Sequence, residues 1–201
     1  MIIPVGMQRV VLHPGDHYST RETVLISTIL GSCVAACMYD PVARVAGMNH
    51  FLLANRRYAR NMPMSITEAG RYGVHAMELL INDLLNLGAK RQNLRVKIFG
   101  GGTVIENLGQ NNFSCVGEVN KRFITEFLET EKISIEASDL GGNRGRIIRF
   151  RTDTYNVYRK YILNTATEKV ETKEYRYWEH QLKVHEAEGG TVVLFTDKDK
   201  K

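Results

Sequence analysis

The sequence predicts an α+β protein, and three observations carry that prediction. Short apolar, β-branched runs crowd the first fifty or so residues. Two well-separated segments place apolar residues at helical spacing. No regular strand–helix–strand alternation links them. With 201 residues, 43% hydrophobic and 24% charged, the chain has ample material for the core of one domain.

Runs over 10–12, 23–30, 34–39 and 45–53 read as strands, with turns at His13-Pro14-Gly15-Asp16 and Asp40-Pro41. The strongest helix covers 65–87. Val74, Met77, Ile81, Leu84 and Leu85 share one face, Ser65 and Glu68 form a capping-box pattern, and Gly88 offers a left-handed stop. A short strand over 96–99 runs into the Gly100-Gly101-Gly102 turn. A second helix runs from Lys121 to about Glu131 with Asn120 as its cap. Strands over 133–137 and 146–150 flank a loop over 139–145. Beyond Thr152 the motifs thin out. A charged, solvent-facing helix over 168–186 carries Tyr175, Trp178 and Leu182, and Gly189-Gly190 precedes a strand over 191–195. The expected organisation is a core over 1–155 and a charged C-terminal extension over 156–201, helix plus strand, packed on the same domain.

Composition narrows the functional classes. No run approaches the ~20 apolar residues of a membrane span, and the start shows neither a basic leader nor a secretory apolar block. Three cysteines without a C-x-x-C pair suit a reducing cytoplasm and argue against a disulfide framework. The net charge of +5 includes Arg56-Arg57, Lys90-Arg91 and the arginines over 144–151. No nucleic-acid motif accompanies them. They read as a solvated face, or as an attraction toward an acidic protein surface.

Chemistry concentrates in Leu30-Gly31-Ser32-Cys33-Val34 and Gly47-Met48-Asn49-His50-Phe51. A thiolate attacks a carbonyl or carboxamide carbon, and an imidazole within reach holds the proton and returns it to the leaving group. On this reading Cys33 is the nucleophile and needs a depressed pKa, from His50 and from the amides around Gly31-Ser32. Those amides are also candidates for an oxyanion hole. The plainer alternative is a small core thiol beside a satisfied histidine. Cys37 and Cys115 read as packing. Asn49 is a minor candidate for orienting His50, although neighbours along a strand face opposite ways. The remaining histidines lack metal-ligand spacing. Gly100-Gly101-Gly102-Thr103 fails the phosphate-loop pattern and reads as a tight turn bringing backbone close to the site. Arg144 and Arg146 are candidates for anchoring a carboxylate.

The words around the pair resemble the CheD family of chemoreceptor glutamine deamidases. The resemblance starts at Ser27-Thr28-Ile29-Leu30-Gly31-Ser32-Cys33 and continues through Gly47-Met48-Asn49-His50-Phe51 and Arg71-Tyr72-Gly73-Val74-His75. It recurs at Lys97-Ile98-Phe99-Gly100-Gly101-Gly102, Gly117-Glu118-Val119-Asn120 and Asp139-Leu140-Gly141-Gly142-Asn143-Arg144-Gly145-Arg146. It implies an α/β sandwich with sheet layers inside and helices outside, and a Cys-His-Thr triad acting without a cofactor. The nucleophile then falls on Cys33 and the base on His50. The family's threonine position, six before the cysteine, is Ser27 here, with Thr28 beside it. Simple alternation puts Ser27 on the side of Cys33 and so favours Ser27 over Thr28. The implied substrates are glutamines on the cytoplasmic helices of methyl-accepting chemotaxis receptors, with Thr103 a candidate to line the groove. A second implied role is binding a CheC-type phosphatase, with catalysis weak or absent. Neither nucleic acid nor membrane insertion is expected.

Overall fold

In the computed structural model, which describes residues 6–53, 68–103 and 116–188, two sheets stack face to face and two helices cover one of them. The strands are β1 (Gln8–Val11), β2 (His17–Thr20), β3 (Val24–Leu30), β4 (Val34–Asp40), β5 (Val45–Asn49), β6 (Arg95–Gly100), β7 (Ser134–Leu140), β8 (Arg146–Arg151) and β9 (Val157–Tyr161). The helices are α1 (Glu68–Asn86), α2 (Val116–Thr130) and α3 (Asn164–Glu188). One sheet has the order β1-β3-β8-β9, the other β2-β5-β4-β6-β7. The α+β class is therefore as the sequence predicts.

The strand alternation explains the layering. Along β4, Val34, Ala36 and Met38 pack toward α1 and α2, while Ala35, Cys37 and Tyr39 pack toward the other sheet. Every residue of β4 is buried, as befits the central strand of a covered sheet. In β3, Val24, Ile26 and Leu30 enter the layer between the sheets, whereas Ile29 is exposed. The helical layer adds Met77, Leu80, Ile81, Leu84, Phe123 and Ile124, all essentially inaccessible to solvent. Burying each such side chain is worth roughly 1.5–3 kcal/mol.

Several boundaries differ from the sequence reading. Helix α2 begins at Val116, so Asn120 is a fully buried helical residue and not a cap. Strands β2 and β9 have no counterpart in that reading. β9 is the edge strand beside β8, and position 155 lies in the connection between the two. β5 ends at Asn49, and beyond it only Phe51 bridges to Val34. Helix α3 is longer than expected and sends Trp178 into the layer between the sheets. Arg56, Arg57, Ser65, Cys115 and the strand expected over 191–195 lie outside the described residues. No described helix is long and apolar enough to cross a membrane.

Candidate active site

The chain crosses from one sheet to the other between β3 and β4, and Gly31, Ser32 and Cys33 make that crossing. The crossing is braced from behind. The amide of Gly101 donates to the Cys33 carbonyl at 2.7 Å, and that of Gly102 to the Gly31 carbonyl at 2.8 Å. Gly100 has φ +116°, and a Cβ there would run into the Cys33 carbonyl oxygen. The triple-glycine turn thus supports the cysteine loop through close backbone approach. Asn120 adds a side-chain brace, its Nδ2 donating to the Ser32 carbonyl at 2.9 Å.

His50 follows β5 and is 2% exposed. Its Nδ1 lies 2.7 Å from Oγ1 of Thr28. The Thr28 hydroxyl donates its one proton to the Leu12 carbonyl at 2.8 Å. What it offers His50 is therefore a lone pair, and the network assigns the imidazole proton to Nδ1. The lone pair of neutral His50 then sits on Nε2, which is buried and has no hydrogen-bond partner among the described residues. Burial is the largest influence on the ring and pushes its pKa down to about 4, so His50 is neutral near pH 7.

Ser27, the residue favoured by alternation, is not at this position. Its hydroxyl points to the other face of β3 and donates to the Val10 carbonyl at 3.3 Å. The physical reason is the break at Leu30. Alternation along β3 does not carry through the crossing to Cys33, which starts toward a different sheet. Thr28 shares the inward face with Ile26 and Leu30, and that face meets His50. Asn49 turns away from the ring, as alternation requires. Its Oδ1 accepts from the Ala36 amide at 3.0 Å, and its Nδ2 donates to the Ala76 carbonyl at 3.1 Å.

Glu174 of α3 is the residue sequence reasoning missed. Only 1% exposed, it spans the crossing loop. Its Oε1 accepts from the Gly31 amide at 2.8 Å, and its Oε2 accepts from the Ser32 amide at 2.7 Å and the Ser32 hydroxyl at 2.8 Å. Gly31 leaves room for this: a Cβ there would sit 2.8 Å from Oε2. Donor atoms of Cys33, His50 and Glu174 all lie within 4.8 Å of one another. The set has the residue types of a metal site, yet both Glu174 oxygens are already engaged by protein donors. Glu174 occupies a pocket of amides that favours negative charge on oxygen.

The thiol differs from the expectation of a depressed pKa. Burial first, then the negative charge of Glu174 and its hydrogen bond, push Cys33 well above the ordinary thiol value. Cys33 is thus a thiol in this arrangement. Cys37 is raised too, mainly by burial, and packs between the sheets. Arg146, 1% exposed, pairs with Asp139 at 3.2 Å and also donates to backbone carbonyls of the same loop, Asp139 at 2.6 Å and Gly141. It anchors a structural carboxylate. Arg144 lies over the Tyr161 ring. Thr103 is tied by its amide to the Gly142 carbonyl at 2.8 Å.

A cleft of about 240 Å³ opens beside His50, lined among others by Tyr72, His75 and Leu79 of α1 and by Tyr177 and Gln181 of α3. It gives His50 a route toward the surface between the two helices.

Comparison with known proteins places the chain in a family. The family described as CheD chemotactic sensory transduction matches residues 52–161. The probable chemoreceptor glutamine deamidase CheD 1 of Geobacter sulfurreducens is 48% identical over 94% of this chain and 95% of its own length. The probable chemoreceptor glutamine deamidase CheD 2 of Shewanella oneidensis is 43% identical over 94% of this chain and 95% of its own. A Vibrio vulnificus relative of the same description is 39% identical over 94% and 88%. Among solved structures, the hypothetical protein YfiH of Bacillus licheniformis overlaps 63% of this chain and 51% of its own at 18% identity. Its TM-score of 0.35 is too low a likeness to inform function. The match over more than half of the chain and the near full-length relatives establish that this chain belongs to the CheD family.

Proposed function

We propose that the chain is a protein-glutamine deamidase acting on chemotaxis receptors in the cytoplasm, with Cys33 as nucleophile and His50 as base. The observation that carries this reading is the convergence at one buried point of a thiol, an unprotonated imidazole nitrogen and two backbone amides that already hold a carboxylate. The names of the relatives supply the substrate class.

The steps follow from these positions. His50 Nε2 takes the thiol proton as Sγ attacks the side-chain amide carbon of a bound glutamine. The developing oxyanion falls to the amides of Gly31 and Ser32, which are fixed by the bracing of the crossing loop. The proton on Nε2 passes to the nitrogen, the C–N bond breaks, ammonia leaves and a thioester remains. Water, deprotonated by the same Nε2, then attacks the thioester and frees glutamate and the Cys33 thiol. Thr28 keeps Nδ1 protonated and the ring oriented, so the basic lone pair stays on Nε2 throughout. Ser27 takes no part.

The test is mass spectrometry of a receptor cytoplasmic fragment incubated with wild type, Cys33→Ala and Thr28→Val. Glutamine-to-glutamate conversion that disappears with Cys33→Ala supports the reading. Its absence with every fragment favours the second role, a binding module for a CheC-type phosphatase. The feature that favours that alternative is the raised Cys33 thiol under the Glu174 carboxylate.

A further inference from the structure

We infer that α3 is a displaceable internal occupant of the substrate groove, with Glu174 standing where the product glutamate of a substrate helix stands. The inference rests on the deamidase reading and adds how substrate is presented and how the site is held closed.

Four features of the geometry support it. Glu174 carries the chemical group that deamidation produces, and both its oxygens sit on the amides proposed to bind the oxyanion. It is presented from a helix, and so shows that a side chain of this length, projecting from helical backbone, reaches the thiol. The helix docks through one narrow face, on which the partly buried Tyr175 and Tyr177 also pack against the layer between the sheets. Its described buried side chains are Glu174 and Trp178, four residues apart on one face, while Lys173, Arg176, Glu179, His180 and Lys183 are exposed. The cleft between α1 and α3 reaches the same histidine and borders Tyr177 and Gln181, so an incoming helix can engage beside α3 before replacing it.

The consequence is mutual exclusion. While Glu174 is seated, the thiol stays protonated and its oxyanion pocket is filled. A receptor helix must displace α3 and set its glutamine carbonyl on the amides of Gly31 and Ser32. A residue four positions after that glutamine then lies over the hollow left by Trp178. The substrate class is accordingly a glutamine on an α-helical segment with an apolar side chain four residues later.

The full-length protein can test itself. In Glu174→Gln the occupant becomes a substrate. Sγ of Cys33 bonds to the carbon of the introduced side-chain amide, and the C–N bond breaks as ammonia takes the thiol proton through His50. Water then releases a glutamate side chain at position 174 and the thiol. Intact-mass and peptide analysis of purified Glu174→Gln should show glutamate at position 174, and the double variant Cys33→Ala/Glu174→Gln should retain glutamine. Lys173→Pro, at an exposed position next to Glu174, breaks the helix that seats the carboxylate and leaves Cys33 and His50 themselves unchanged. It should raise both iodoacetamide labelling of Cys33 and receptor conversion severalfold, since opening a closed site raises the apparent rate by the reciprocal of the open fraction. Circular dichroism of each variant checks that it is folded.

Self-conversion of the Glu174→Gln variant supports the inference even with no receptor fragment at hand. Cys33-dependent receptor conversion, with the introduced glutamine retained and Lys173→Pro no faster, overturns it and leaves the deamidase intact. A retained glutamine at position 174 with no receptor conversion by any variant overturns both.

Discussion

The side-chain amide of Asn120 joins the Ser32 carbonyl to the Leu53 amide, at 2.9 Å on each side, from the interior of α2. The loop that aims the anion-binding amides is thereby fixed to the helical layer through a fully buried group. Replacing Asn120 by Ala strands a buried carbonyl and a buried amide, each costing about 1–3 kcal/mol. Chemical denaturation should show a loss in that range. Deamidation by the folded fraction should fall in kcat more than it changes KM, because the amides, and not the groove, are misplaced.

Thr28 and Ser27 are adjacent and should behave oppositely. Thr28→Val removes the acceptor for His50 Nδ1–H and should lower kcat by roughly 10–100-fold, the usual loss when the partner of a functional imidazole is removed. Thr28→Ser should recover most of it. Ser27→Ala, which removes a hydroxyl that donates to the Val10 carbonyl, should leave kcat unchanged and stability within about 0.5 kcal/mol. Steady-state assays on the three variants separate the roles.

His50 should make the protein sensitive to mild acid. Its folded pKa lies near 4, below the ordinary value of 6.5, because burial disfavours the charged ring. Between those values the unfolded chain binds more protons, so stability is full above the upper value and is lost as pH falls through the lower one. The whole effect is about 3 kcal/mol, of which about 2 is gone by pH 5. Urea melts of wild type and His50→Gln at pH 7 and pH 5 should show wild type losing about that much more than the variant. Equal losses would mean that the ring is not buried neutral.

Gly100→Ala should be among the most damaging single-methyl changes in the chain. The residue combines φ +116° with a Cβ position blocked by the Cys33 carbonyl. Strain of this kind costs about 1–3 kcal/mol before any steric shift. A fall in melting temperature together with loss of activity is expected. The same change at Gly6, where φ is +89° and nothing lies within 4 Å, should cost only the conformational strain.

Much of the site was legible because its chemistry is written in local words. Cys33 and His50 stand in short segments whose residue types suggest a nucleophile and a base, and the structure brings their side-chain atoms within 4.8 Å. The hydroxyl beside His50 was misplaced for a geometric reason: counting alternation from Ser27 to Cys33 assumes one continuous strand, while the chain changes sheets after Leu30. Glu174 was hidden in a run of lysines and glutamates. The usable signal was Trp178, since an aromatic in a charged helix marks the inward face, and four residues back along that face is Glu174. β2 and β9 escaped notice because short strands with polar or charged side chains lack an alternating pattern. The first turn of α2 was obscured by Gly117, a poor helix former retained where a Cβ would press on the Gly101 carbonyl oxygen, 2.9 Å away.

The position of β4 at the centre of its sheet, buried on both faces, has a consequence for how activity is distributed over the protein's motions. Amides of such a strand exchange with solvent only through the rarest, most global openings, whereas a helix held by a few inward side chains opens far more often. On that principle Cys33, the proposed nucleophile, should sit at the edge of the slowest-exchanging part of the fold, and Glu174 on a faster-exchanging one. The proposed chemistry and the proposed control would then reside in separate cooperative units, so that a substitution in α3 should retune one without melting the other.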